Sequence, residues 1–472
     1  MTPNNLALLT RRELLVHLCR MLDQGTILDE IDRLPVLMRP RHNQPIRCCV
    51  HKDRAILKYK LMALLAFNVD DETDELCQLH EYAATALKRE KLTPVAMTVV
   101  DEACSSCNQG SYEITNLCRG CDARPCEVNC PKKAVSFADG KARINHDSCI
   151  NCGKCMKECP FHAIVYQPVP CEESCPVGAI EKDDTGIERI NFDKCIFCGK
   201  CIAACPYGAI VEKTHLVDVF RAWKSGRKVV ALVAPAIAGQ FRQDLGKIYS
   251  SILSAGFHDI VEVAEGADLT IANESAEWKE RMAAGCQFMT TSCCPAFKEL
   301  VKKHIPEMSD KVSSTPSPLC YAAEIARKRF PDAVTVFIGP CIAKRVESYY
   351  LGSVDFMMSF EELGALLVAK GIEVADLESH PRPERSSAQA YHFAYSGGVA
   401  GSIVASAGSS VNAEVINGID KKSITLLKQM AKGKTDKNFV EVMCCEGGCL
   451  GGVNTLIRSP QAVEIFKKNL EA

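Results

Sequence analysis

From residue 221 to the C-terminus, short continuous apolar runs alternate with stretches of helical spacing, which predicts an α/β domain over residues 221–472. Lys228-Val-Val-Ala-Leu-Val-Ala-Pro-Ala236 reads as a strand of a sheet covered on both faces. Three further apolar runs end in cysteine: Gln287-Phe-Met-Thr-Thr-Ser-Cys-Cys-Pro-Ala-Phe297, Ala333-Val-Thr-Val-Phe-Ile-Gly-Pro-Cys-Ile-Ala-Lys344 and Phe439-Val-Glu-Val-Met-Cys-Cys-Glu-Gly-Gly-Cys449. The two glycines of the last run predict backbone passing close to whatever its thiols hold. Residues 1–97 follow a helical pattern instead. Thr10-Arg-Arg-Glu13 has capping-box form ahead of Leu14, Leu15, Leu18, Met21 and Leu22, and residues 56–67 and 74–91 predict two further helices. Pro35, Pro40 and Pro45 interrupt the region between the first two. Cys19 and Cys77 fall on apolar faces and read as core. Cys48 and Cys49 read as buried small residues, since no partner spacing lies nearby. This pattern gives the segment no chemistry.

Residues 98–216 have neither period. They hold 16 of the chain's 28 cysteines, punctuated by Cys-Pro and glycine. A net charge of −2 makes no electrostatic case for nucleic acid or an acidic membrane surface, and no apolar run reaches membrane-spanning length. Met1-Thr-Pro-Asn-Asn5 lacks the basic and apolar regions of a secretory leader. Clustered Cys-x-x-Cys units in a reducing compartment mean metal, so a cytoplasmic, iron-loaded protein is expected.

Cys149-Ile-Asn-Cys-Gly-Lys-Cys-Met-Lys-Glu-Cys-Pro160 and Cys195-Ile-Phe-Cys-Gly-Lys-Cys-Ile-Ala-Ala-Cys-Pro206 are ferredoxin ligand runs, in which the fourth cysteine reaches the other cluster. Cys118-Arg-Gly-Cys-Asp-Ala-Arg-Pro-Cys-Glu-Val-Asn-Cys-Pro131 is a stretched run of the same kind. Pairing predicts one cluster on Cys118, Cys121, Cys126 and Cys159, and a second on Cys149, Cys152, Cys155 and Cys130. A third takes Cys195, Cys198, Cys201 and Cys175. The displaced Cys104-Ser-Ser-Cys107 joins Cys171 and Cys205 in a fourth, and all sixteen cysteines are then used. The Pro-x-x-Ala following each terminal cysteine predicts two tandem ferredoxin-like α+β repeats over residues 98–216, serving as an electron wire. Zinc is the competing reading, but triple Cys-x-x-Cys runs ending in Cys-Pro suit cubane clusters better.

In the α/β domain, Cys294, Cys341, Cys445 and Cys449 supply four thiolates, the complement of one more [4Fe–4S] cluster. Taken in order, Thr291-Ser-Cys-Cys-Pro295, Pro340-Cys-Ile-Ala-Lys-Arg-Val-Glu347 and Glu441-Val-Met-Cys-Cys-Glu-Gly-Gly-Cys449 resemble the three signatures of [FeFe]-hydrogenases, and the resemblance covers residues 228 to 455. It implies an H-cluster: a [4Fe–4S] cluster bridged by one cysteine to a two-iron unit carrying CO, cyanide and a dithiolate. It also implies reversible reduction of protons to H₂, a ferredoxin-like electron carrier and dedicated maturation proteins.

The same resemblance suggests roles. Lys344 anchors the two-iron unit through a cyanide, with Glu347 one turn on to orient it, and Met443 packs beside that unit. Ala234 and Pro235 form a hydrogen-bonding wall. Two adjacent cysteines do not both ligate one iron comfortably, so Cys293 is a free thiol. In the family the first cysteine of this pair passes protons to the bridging amine. Glu274, Glu277 and Arg281 share one helix face and resemble the outer relay, with Ser313 between. Gly339, Phe297 and Leu319 depart from the residues usual in relatives, which carry Met, Trp and Gln there. Cys444 adds a thiol beside Cys445, and Cys286 and Cys320 are further free cysteines. Two other readings remain: a hydrogenase-like assembly or sensory protein without turnover, and an electron-transfer subunit of a larger complex.

Overall fold

The computed structural model describes residues 5–92, 96–104, 107, 110–381, 386–458 and 460–471; residues 1–4 of the stretch read for a leader lie outside them. In the C-terminal half the apolar runs form two parallel sheets. One has the order Asp259–Glu262, Val229–Val233, Val334–Gly339, Phe356–Ser359; the other has Met289–Thr290, Phe439–Met443, Ala413–Asn417. Val229–Val233 and Phe439–Met443 are buried at every position, as strands covered on both faces must be. Parallel strands need crossover helices, and these supply Val263–Ala283, Pro295–His304, Pro318–Arg329 and Ile342–Leu351. All strands of a parallel sheet end on one side, so the cysteine-bearing turns gather there.

The N-terminal segment is helical, with corrections. Its first helix runs Leu6–Gln24 and is capped by Asn5, whose side chain accepts from the Leu8 N–H; Thr10 lies inside it, so the expected capping box is not the start. Leu14, Leu15, Leu18, Cys19, Met21 and Leu22 form its buried face. Two short helices, Ile27–Glu30 and Leu34–Met38, follow it, and the two further expected helices run Val50–Leu64 and Leu79–Lys88, the latter started by a Gln78–Glu81 capping box. Cys48 is exposed, Cys49 and Cys77 only half-buried, and Cys77 precedes its helix. None of the three is core.

The iron–sulfur region departs from a tandem arrangement. Ser111–Ile114 pairs with Ile164–Gln167 around the hairpin Val135–Ala138/Lys141–Ile144. Met97–Val99 pairs with Ile210–Glu212, outside that whole unit, and a second hairpin joins Ile180–Lys182 to Glu188–Ile190. One ferredoxin-like unit is therefore nested within the other. This is why Cys104 and Cys107 stand so far in sequence from Cys171 and Cys205. Each terminal cysteine repeats one turn: the N–H groups of Ala134, Ala163, Ala179 and Ala209 donate to the thiols of Cys130, Cys159, Cys175 and Cys205 at 3.2–3.4 Å. The residue before each alanine is left-handed, glycine at 178 and 208 but Lys133 and His162 in the inner unit. The inner unit has its own small apolar core around Cys126, Val135, Ala142, Cys155 and Ile164, while the rest of the chain shares one.

A buried charge network pins the segments together. Arg345 donates to Glu212 at 3.0 Å and pairs with Glu362 at 3.2 Å, and Glu212 also accepts from Arg11 and Asn454. Glu212 and Glu362 are fully buried. Removing Arg345 would strand two carboxylates without water, so Arg345→Ala should cost roughly 3–5 kcal/mol of stability. Lys370→Ala, which breaks a partly exposed pair with Asp23, should cost about 0–1 kcal/mol. Chemical denaturation of the two variants checks the contrast, and equal losses would contradict it.

Candidate active site

The ends of the two sheets meet around a cavity of about 950 Å³, the open space at its mouth included. Cys294 and Cys341 enter it as the residues just before the helices Pro295–His304 and Ile342–Leu351. Both thiols therefore face a helix N-terminus, where free N–H groups and the helix dipole favour negative charge. Cys445 and Cys449 flank the turn at Gly447 and Gly448, both left-handed. The glycine requirement at 448 differs from the expected one: a side chain there would strike the Tyr395 and Ser396 backbone at 2.7 Å. Cys293, Lys344, Met443, Ala234 and Pro235 line the same cavity.

The donor set fits a polynuclear metal group. Cys294, Cys341, Cys445 and Cys449 line one pocket, and four thiols are the complement of a [4Fe–4S] cluster. Burial pushes Cys341 well up and Cys449 up to about 12, and each is raised further by its neighbouring thiols. Gathered thiols of this kind become thiolates only when a metal takes the charge. In the iron–sulfur region several thiols lie close enough to raise one another. Cys155 feels Cys149, Cys152 and Cys130; Cys126 feels Cys159 and Cys121. Cys201 feels Cys198, Cys195 and Cys175, while Cys171 feels Cys205 and Cys104, and Cys107 feels Cys205.

Lys344 is no surface lysine. Its side chain is 12% exposed, and Nζ donates to Glu347 at 2.5 Å and to Ser317 Oγ at 2.8 Å. Burial lowers its pKa, the Glu347 carboxylate raises it, and the carboxylate prevails. Ser317, which also donates to Glu347 at 3.3 Å, was not singled out from sequence. Its one trace there is its place in a run of hydroxyl residues, Ser313-Ser-Thr-Pro-Ser317. Phe337 was missed as well: its ring fills the space that a side chain at Gly339 would occupy, 2.4 Å from such a Cβ. Leu319 presents an apolar group to the cavity wall.

Behind Cys293 the carboxylates line up on the Val263–Ala283 helix. Glu274 is fully buried and accepts from the Ser292 N–H at 3.3 Å. Burial pushes it up to about 8, with the Glu277 and Glu441 charges adding to the rise against hydrogen bonds from Ser313 and Ser292. Ser313 donates to Glu277 at 2.6 Å, and Ser314 and Thr315 also donate to that carboxylate. Burial raises Glu277, but these donors outweigh it and hold it at about 2. Arg281 pairs with Glu277 at 2.6 Å and reaches the Asp310 and Val312 carbonyls. The structure thus brings Cys293, Glu274, Ser313, Glu277 and Arg281 together between cavity and surface.

Ferredoxin-type units leading to a buried, thiol-ringed cavity at the ends of parallel strands define an iron–sulfur oxidoreductase. Residues 227–453 match the family described as iron only hydrogenase large subunit, C-terminal domain, and residues 142–165 and 188–211 match the 4Fe-4S binding domain. The chain is a divergent member of the [FeFe]-hydrogenase family. It is similar to iron hydrogenase 1 of Clostridium pasteurianum, 27% identical over 412 residues, which is 74% of this chain and 71% of that protein. The periplasmic [Fe] hydrogenase large subunit of Nitratidesulfovibrio vulgaris is 26% identical over 297 residues, 50% of this chain and 70% of that one. Among solved structures, a variant of the [FeFe]-hydrogenase HydA1 from Chlamydomonas reinhardtii aligns at 21% identity and a TM-score of 0.41, covering 52% of this chain and 83% of that chain. Among the described residues no helix is long and apolar enough to cross a membrane.

Glu274 carries a stability signature. Its folded pKa of about 8 lies above the ordinary 4.5, so folding favours its protonated form. Its contribution is fully present below pH 4.5 and is lost as pH rises toward about 8. Glu277 has the opposite sign: its contribution is present above 4.5 and is lost as pH falls toward about 2. Glu274→Gln should flatten the pH dependence of the denaturation midpoint between pH 5 and 8. An unchanged slope would mean that Glu274 ionises as a solvated carboxyl does.

Proposed function

We propose that the protein interconverts protons and electrons with H₂ at an H-cluster held by Cys294, Cys341, Cys445 and Cys449. The convergence of these four thiols with Cys293 and Lys344 on one enclosed cavity carries the reading. The group, when bound, supplies the redox-active iron; everything else is work for the chain. Lys344, kept charged by Glu347 and steadied by Ser317, is the cation placed to hold the diatomic ligands of a two-iron unit. Met443 and Leu319 exclude water from that end of the cavity, and Ala234 and Pro235 wall it.

Protons travel on side chains. Cys293 Sγ holds the proton nearest the reacting centre. Glu274, protonated up to about pH 8, passes protons to and from that thiol, the Ser313 hydroxyl lies next, and ionised Glu277 receives them. Arg281 positions Glu277 near the surface. The sixteen cysteines of residues 98–216 would hold four [4Fe–4S] clusters, which would supply electron relay from a ferredoxin-like carrier. The order supported by proximity ends at the Cys195, Cys198, Cys201 and Cys175 cluster, because Cys198 lines the catalytic cavity. The protein works in the cytoplasm after maturation proteins deliver the two-iron unit.

Infrared spectroscopy of matured protein tests this reading, since bound CO and cyanide absorb where polypeptide does not. Their absence alongside a full iron content would end it. The protein should carry about sixteen irons on residues 98–216, four per cluster. Lys344→Ala should keep the cubane and lose the CO and cyanide bands, and Cys449→Ser should lose the whole centre. Cys293→Ala should keep the bands while H₂ turnover falls about 10²–10⁴-fold. Turnover like that of the unmodified protein would remove Cys293 from the relay.

A further inference from the structure

A second cavity, of about 650 Å³ with the open space at its mouth included, lies where the first helix meets the outer ferredoxin-like unit and the loop after the C-terminal signature. Three cations line it: Arg11, Lys60 and Arg458. Among the described residues Glu361 is the single carboxylate in its wall, and it is already paired with Arg11 at 3.4 Å and Arg12 at 3.1 Å. Arg11 also holds Glu212 at 3.2 Å. Neither Lys60 nor Arg458 has a side-chain acceptor or an acidic partner among the described residues. Positive charge is left over.

Lys60 is the more telling of the two. It is 6% exposed, on the Val50–Leu64 helix. Buried ammonium groups are ordinarily paired, because leaving water without an anion is costly. Burial pushes Lys60 down to about 8; Cys205 opposes the fall, and the Arg47, Arg11 and Arg39 charges add to it. The position of its Nζ is defined by Gly208, where a Cβ would lie 3.2 Å from Lys60 Nζ and 3.1 Å from Ala7 Cβ. The missing side chain lets the ammonium approach the first turn of the Leu6–Gln24 helix, and Asn5 and Ala7 line the same cavity. Asn5 takes the Leu8 N–H, whereas the Ala7 N–H has no intrahelical acceptor. Such a helix start carries partial positive charge and free donors, the ordinary setting for a phosphate. The helix start and the buried ammonium are independent features, and they converge. Cys205 borders the cavity too, but Cys104, Cys107 and Cys171, expected with it in one set, do not line it. The space lies outside that set.

We propose that this cavity is a binding site for a small oxyanion of the phosphate class, held by Lys60, Arg458 and the first turn of the Leu6–Gln24 helix. The anion joins three parts of the chain that are distant in sequence: the N-terminal helices, the outer ferredoxin-like unit at Gly208 and the C-terminal loop at Arg458. It stabilises the fold by mass action, since the unfolded chain has no such site. The site does not depend on the reaction proposed above.

The test is isothermal titration calorimetry of inorganic phosphate into the full-length protein, at constant ionic strength set with chloride, with thermal unfolding followed in the same solutions. Phosphate should bind saturably at one equivalent and raise the unfolding midpoint. Sulfate should compete with it, and chloride should do neither. Lys60→Met keeps the apolar stem and should weaken phosphate binding about tenfold or more, the worth of a hydrogen bond to a charged group. Arg458→Gln should weaken it by a smaller factor, and it gives the same readout if Lys60→Met does not fold. Equal protection by chloride would reduce the effect to charge screening and overturn the proposal. Unchanged phosphate affinity in folded Lys60→Met, or in Arg458→Gln, would overturn it too. So would a lack of phosphate binding together with a shifted redox potential in Lys60→Met, which would make Lys60 the counter-charge of a cluster at Cys205.

Discussion

Four thiols that must lose their protons to bind metal are gathered here within the fold, and the surrounding structure follows from that requirement. Burial drives Cys293, Cys341 and Cys449 toward their neutral form, and the charges of neighbouring thiols drive them further. Two devices act against this. Cys294 and Cys341 each sit at the start of a helix, and Lys344 brings a full positive charge to the cavity edge. A helix start needs a strand before it and a crossover after it. The parallel α/β layout is thus the cheapest way to aim two helix N-termini at one point.

The same economy governs the joint with the iron–sulfur region. Electron transfer over short distances asks for a seam that does not slip. Glu212, on the strand that closes the outer ferredoxin-like unit, is gripped by Arg345 of the catalytic region and Arg11 of the first helix. A salt bridge of this kind adds little net stability but punishes displacement, because any shift leaves a buried carboxylate alone. The helical N-terminal segment, silent in chemistry, thereby contributes to registration. Lys303 extends the same joint, donating to the Phe192 and Cys195 carbonyls next to a cluster run.

What could be read in the sequence was whatever is written in local spacing. The strand Phe439–Met443, the Lys344–Glu347 pair and the shared face of Glu274, Glu277 and Arg281 all follow from periods of two, three or four residues. What escaped depends on side-chain conformations and tertiary contacts that local spacing does not encode. Phe337 filling the space over Gly339 needs a χ angle that no motif encodes. Ser317 meeting Lys344 needs the start of the Pro318–Arg329 helix to reach the first turn of Ile342–Leu351. Cys48, Cys49 and Cys77 were misplaced because a cysteine's apolarity says little about burial in a segment broken by prolines and polar turns. The nesting of the two ferredoxin-like units was hidden for a simpler reason: runs in sequence order look tandem until Met97–Val99 is seen to pair with Ile210–Glu212.

That nesting has a mechanical meaning. The inner unit begins and ends on neighbouring antiparallel strands, Ser111–Ile114 and Ile164–Gln167, and keeps its own small core. It hangs from its host as a plug on two adjacent leads. Such a plug can be gained, lost or exchanged as one cassette without cutting any strand of the host. The length of the conduit, and so the distance at which an external donor must dock, becomes a trait that evolution or an engineer can adjust separately from the chamber where the reaction occurs.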